Sequence, residues 1–150
     1  MATRIKPWQR LSLRDFRFIY RSVPRLCVDV IIRDRRGAVL IQRDIMPDTG
    51  RWHVPGGTVH FGETLEQAVR RFANHEAGLR VKILRCLGVV EYFRGKKFGH
   101  MVSATYLARP IGGTLHGGWQ GRRVAFSRRM PRNTVPEQAE FLIANRLLAR

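Results

Sequence analysis

The sequence predicts a single α+β domain, and three observations predict it. An amphipathic helical pattern over residues 65–77 is capped at both ends, alternating apolar segments recur on either side of it, and a second capped helical pattern closes the chain. At 150 residues with 44% hydrophobic residues the chain is long enough for one real core. No internal repeat, linker or low-complexity tract divides it.

In chain order, residues 12–21 read as a short helix, with Ser12 and Asp15 offering a capping box and Leu13, Phe16, Phe18, Ile19 and Tyr20 supplying apolar surface. So many aromatics on a short helix predict that the segment docks, either on its own domain or on a second chain. Residues 25–33 and 38–43 alternate as the two arms of a hairpin around the turn Asp34-Arg35-Arg36-Gly37. Asp29 interrupts the first arm, where a solvent face is the default. Residues 44–50 form a polar loop, and residues 52–55 deliver the chain to Gly56 and Gly57, which leave the backbone open to close approach. Thr64 with Gln67 makes a capping box for the central helix, and Gly78 stops it.

Beyond that helix, residues 81–93 and 98–109 read as strands around the basic turn 94–97, followed by a loop over residues 111–121. Residues 122–126 form a last short strand and 128–132 a basic loop. Thr134 with Glu137 offers a third capping box for a helix reaching about Leu148, with Ala139, Leu142, Ile143 and Leu147 inward.

Composition excludes several classes. No apolar run approaches the ~20 residues that span a bilayer, and no hydrophobic segment follows the Arg-rich start, so a cytoplasmic protein is expected. Cys27 and Cys86 lack CxxC spacing and read as buried thiols, and the five histidines give no zinc pattern. Lys and Arg number 28 against 11 acids, a net charge of +17 that favours phosphate-bearing ligands, nucleotide or nucleic acid. No zinc finger, single-strand-binding aromatic motif or basic heptad supports a nucleic-acid module, and a solvated Arg-rich surface explains most of the charge.

The central helix carries the anomaly. Leu65, Ala68, Val69, Phe72 and Ala73 form one apolar stripe, and at about 100° per residue Glu76 projects near its middle. Helix geometry alone leaves two possibilities, a carboxylate bending out to water at a frayed last turn or one pointing into the core.

The spacing of Gly57, Glu63, Arg71, Glu76, Gly78 and Leu79 resembles the Nudix box, the signature of hydrolases that act on nucleoside diphosphates linked to another group. Two positions depart from it, since Phe72 and His75 stand where the box usually carries Glu. A similarly depleted box occurs in the GDP-mannose mannosyl hydrolase branch. The chain resembles that branch also at Asp15-Phe16, Arg21-Ser22, Pro24, Asp29, Arg43, Trp52, Val54-Pro55-Gly56-Gly57 and Glu63-Thr64-Leu65-Glu66.

The resemblance implies an α/β/α sandwich with a central mixed sheet, and a homodimer built with the segment 1–24. It implies Mg²⁺, with Mn²⁺ possible, held by the Gly56 carbonyl, Glu76 and Gln120. Asp29 would reach the sugar and Arg43 the diphosphate, with Tyr92 and His100 as further substrate contacts. Gly57, Glu63, Arg71 and Gly78 would be structural, Glu63 and Arg71 as an ion pair. The reaction implied is hydrolysis of a nucleotide sugar at the anomeric carbon. Chemistry at phosphorus on another nucleotide, or a nucleotide-binding domain that has lost its base, are the alternatives. The branch has His directly after the Gln ligand where this chain has Gly121. His116, on the same loop, is the substitute base considered, against an ordinary exposed loop histidine. Thr58 replaces an Arg of the branch, Tyr92 a His and Met101 a Tyr.

Overall fold

The computed structural model describes residues 10–150, so residues 1–9 of the expected docking segment, with the Arg-rich start, lie outside the described residues. The elements are α1 (Leu13–Tyr20), β1 (Arg25–Asp34), β2 (Gly37–Gln42), β3 (Trp52–His53), β4 (Gly56–Thr58), α2 (Leu65–Ala77), β5 (Leu79–Phe93), α3 (Gly95–Phe98), β6 (His100–Gly113), β7 (Arg123–Ser127) and α4 (Pro136–Ala144). The predicted helices and long strands are all present, displaced by one to a few residues at their ends. The basic turn 94–97 is the one-turn helix α3, and the first residues of the expected 111–121 loop continue β6.

The strands form one mixed sheet in the order β3-β2-β1-β6-β5, with β4 also pairing β1 and β7 pairing β2. β1 runs parallel to β6, and the other pairs are antiparallel. Side chains of β1 alternate between two cores. Val28, Val30 and Ile32 pack with Val69, Phe72 and Ala73 of α2 on one face. Ile31 packs with Leu142 of α4, Leu147 and Leu148 on the other. The layered α/β/α arrangement implied by the box resemblance is therefore the observed one.

Four local expectations fail. The third capping box does not form: the N-cap of α4 is Val135, with no side-chain cap bond. Thr134 Oγ1 donates instead to the Pro131 carbonyl at 2.8 Å, and the Glu137 carboxylate is taken by the Arg94 guanidinium at 2.6 and 2.9 Å. The helix also stops at Ala144, so Leu147 and Leu148 are buried from the segment beyond it. Cys27 is buried as expected, with its thiol pushed up to about 11 by burial, but Cys86 is exposed. In α1 only half of the first capping box exists, Asp15 N–H donating to Ser12 Oγ at 3.1 Å, and none of its residues is buried. Among the described residues, no helix is long and apolar enough to cross a membrane.

Candidate active site

The central helix is built as its sequence dictates. Thr64 Oγ1 accepts from Gln67 N–H at 3.1 Å and Gln67 Oε1 accepts from Thr64 N–H at 2.9 Å, while Gly78 turns the chain out at φ 70°. A Cβ at Gly78 would come within 2.2 Å of the Thr114 carbonyl, so the helix end seats directly against the later loop. With the last turn fixed in this way, Glu76 does not fray. It is 1% exposed, on the same face as Phe72 and Ala73.

Glu76 meets the Gly56 strand and the loop after β6. Its Oε2 accepts the Gly56 N–H at 3.0 Å, and its Oε1 accepts the Gln120 amide N–H in a very short contact. The same Gln120 Nε2 donates to the Gly56 carbonyl at 3.2 Å. Three groups far apart in sequence thus converge on one point. Burial pushes the Glu76 carboxyl up to about 7, against the downward pull of the Gly56 and Gln120 donors and of Arg43.

Gln120 is held from behind by Arg43, whose Nη1 donates to Gln120 Oε1 at 2.6 Å. Arg43 Nε donates to the Pro47 carbonyl at 2.5 Å and Nη2 to that of Met46 at 3.4 Å. The role of this loop in seating Arg43 carries no sequence signal, because it is made by backbone carbonyls.

On the other side of Gly56 lies Asp29, its cross-strand partner in the β1–β4 ladder. A Cβ at Gly56 would stand 2.7 Å from Asp29 Oδ1, so only glycine admits both acids around it. Asp29 is buried rather than solvent-facing, because α4 covers the face that the alternation of β1 assigns it. Its Oδ2 accepts the Tyr92 hydroxyl at 2.6 Å. Burial raises Asp29 to about 6 despite that bond, and burial together with the neighbouring Asp29 drives the Tyr92 phenol well above its usual range.

Asp29, Arg43, Gly56, Glu76, Tyr92 and Gln120 all line one open cleft of ≈ 1570 Å³, which exceeds the roughly 300–1,000 Å³ of ordinary small-ligand pockets. His116 does not line it. The imidazole packs against the α2 end at Gly78, with Nδ1 beside the Gly117 carbonyl at 2.8 Å. His100 is also absent from the lining, stacked edge-on with Phe93. Gly121 has no room for a larger residue, since a Cβ there would meet the Gln42 carbonyl at 2.2 Å. His75, one of the two departures from the box and not among the expected site residues, does line the cleft.

A family model for the NUDIX domain matches residues 23–148. The chain belongs to the Nudix family. A relative, "ADP-ribose pyrophosphatase" of Methanocaldococcus jannaschii, is 36% identical over 69% of this chain and 61% of its own. "Low-salt glycan biosynthesis protein Agl8" of Haloferax volcanii is 41% identical over 59% of this chain and 56% of its own. The chain thus spans a little over half the length of these two relatives. The crystal structure of a MutT NUDIX hydrolase from Burkholderia pseudomallei superposes with a TM-score of 0.74 at 26% identity, covering 81% of this chain and 97% of that one.

Within the Nudix box, Glu63 and Arg71 form a bidentate ion pair at 2.7 and 2.8 Å, and Arg71 Nη2 also donates to the Thr58 carbonyl at 3.0 Å. Burial alone would raise Glu63, but Arg71 and the His60 amide hold it below its usual range. Phe72, at a position usually acidic in this box, is buried under the Arg71 guanidinium, 4.3 Å from its ring centroid. A Cβ at Gly57 would lie 2.7 Å from that ring. Among the described residues no trio of His, Cys, Asp and Glu is grouped for a metal. One carboxylate, one carbonyl and one amide remain, a set whose oxygens suit a hard cation such as Mg²⁺.

Proposed function

We propose that this Nudix domain is a Mg²⁺-dependent hydrolase of a nucleoside diphosphate sugar, GDP-mannose-like, in which water attacks the anomeric carbon and nucleoside diphosphate leaves. The observation that carries this is Phe72. Its ring fills the space against Gly57 where a second acid would stand, leaving Glu76 as the carboxylate that meets the Gly56 amide and Gln120. Several cations favour attack at phosphorus, whereas a departing diphosphate needs charge neutralisation that one cation and arginines supply.

Gly56 O, Glu76 and the Gln120 amide oxygen would hold Mg²⁺, or Mn²⁺ in its place. When bound, the cation offsets the charge growing on the diphosphate. Arg43 pairs with two phosphate oxygens through its forked donors. Asp29, tuned to about 6 and steadied by Tyr92, receives the proton of the attacking water. The anomeric carbon–oxygen bond breaks with its electron pair going to the diphosphate, and a carbon–oxygen bond to water forms. His116, outside the cleft lining, has no part in this scheme, and neither does His100. The glycan-biosynthesis name of the Haloferax relative supports a sugar substrate.

Incubation with GDP-mannose and Mg²⁺ in ¹⁸O water tests the proposal. Label in the sugar is expected. Label in the phosphate product would replace it with chemistry at phosphorus, which the name of the Methanocaldococcus relative favours. No turnover across a nucleotide panel would reduce the domain to nucleotide binding. The homodimer belongs to the same proposal: α1 leaves Leu13 64% and Phe18 65% exposed, and sedimentation of a wild-type dimer that a Phe18→Asp variant loses is expected.

A further inference from the structure

We infer that the Gln120 amide is a two-position coupler: in the cation-free protein its oxygen holds Arg43, and turning that oxygen onto the cation releases Arg43 to the diphosphate. The inference rests on the one-cation site proposed above and adds an order of events to it.

The donor and acceptor inventory fixes the present orientation. Arg43 Nη1 can only donate, so the atom it meets at 2.6 Å is Gln120 Oε1. The Gly56 carbonyl accepts only, so the atom facing it is Nε2, and the same Nε2 meets Glu76 Oε1. The NH₂ group therefore lies between the two oxygens that would bind a cation, and its donors satisfy them in the cation's place. A cation reverses the requirement, because an amide ligates through oxygen and never through its NH₂.

The backbone of Gln120 cannot move aside to meet this demand. Its carbonyl accepts the Asp44 N–H at 2.8 Å, and the following Gly121 sits against the Gln42 carbonyl. Half a turn of the terminal amide is the rearrangement left. That turn points NH₂ at Arg43 Nη1, donor against donor, and the pair must part. Arg43 stays hinged by its Nε on the Pro47 carbonyl, while Nη2 has only the 3.4 Å bond to Met46. The Nη1 and Nη2 pair then becomes the free edge of the fork, the edge that reads two phosphate oxygens together. Gln120 is thus a positioning residue for Arg43 as well as a ligand.

The test is Mg²⁺ alone, without nucleotide, titrated calorimetrically into wild type, Arg43→Ala and Arg43→Lys. Lysine keeps the charge but places an ammonium short of Gln120 Oε1. Both variants are expected to bind Mg²⁺ about tenfold tighter than wild type, because a charge-assisted bond no longer has to be broken. In wild type, saturating Mg²⁺ should move the ¹⁵N side-chain signals of both Gln120 and Arg43 together. If Arg43→Ala binds tighter while Arg43→Lys matches wild type, charge alone is at work; the coupler is then overturned and the metal site stands. Absence of Mg²⁺ binding in all three proteins would remove the metal site itself, and the coupler with it.

Discussion

Two buried side chains near the cleft titrate in opposite senses, and their stabilities should oppose each other with pH. Glu76 is raised from 4.5 to about 7 by burial, so the folded state holds its proton where the unfolded state has lost it. Its contribution is complete below pH 4.5 and is lost as pH rises to 7. His53 is lowered from 6.5 to about 4, first by burial and then by Arg43, so its contribution is present above 6.5 and lost as pH falls to 4. Each span amounts to about 3 kcal/mol at ~1.4 kcal/mol per pH unit. In urea unfolding without metal, Glu76→Gln should gain on wild type by about that amount between pH 4.5 and 7, and Mg²⁺ should stabilise wild type but not the variant. A constant difference between the two proteins would refute the assignment of Glu76. The inward direction of Glu76 was legible from helical phase plus the box. The burial of Asp29 was not, because strand alternation tells which residues share a face and not which face another element covers.

At the level of elements, the helix α2 was the most legible part of the chain because its caps are local. Thr64 and Gln67 are three residues apart and satisfy each other's backbone donors without help from elsewhere. The same pattern at Thr134 and Glu137 failed because Arg94, 43 residues away in sequence, competes for the Glu. Strands β3 and β4, two and three residues long, are too short to show any period. These differences separate two kinds of substitution. Thr64→Ala should cost about 1 kcal/mol of stability and leave turnover unchanged. Arg71→Met leaves the Glu63 carboxylate and the Thr58 carbonyl without their partner, and should cost roughly 3–5 kcal/mol by thermal or urea unfolding. An Arg71→Met enzyme that stays as stable as wild type and loses only turnover would make Arg71 a substrate contact instead of a brace.

For the molecule as a whole, the net charge of +17 matters through where it is placed. Nine Lys and Arg line the cleft against three acids, Asp29, Asp48 and Glu76, so the field inside it is positive. Two of the three acids are buried, and at neutral pH Glu76 is itself near its midpoint. A nucleoside diphosphate should therefore be drawn in from a distance, and that attraction is what salt screens, with a Debye length of about 10 Å at 0.1 M falling to about 3 Å at 1 M. Arg43 is only part-exposed, held by Gln120 and the Pro47 carbonyl, so a phosphate in direct contact with it would lie well within a Debye length and be screened less. Raising NaCl from about 0.05 to about 0.5 M is thus expected to lower kcat/KM for the nucleotide sugar about tenfold while kcat changes less than twofold. Neutralising Lys96 and Lys97 at the cleft rim together should flatten the salt dependence of KM without touching kcat. If kcat fell with salt as steeply as kcat/KM, the exposed cations of the cleft would be acting on the chemical step, and the steering account would be overturned.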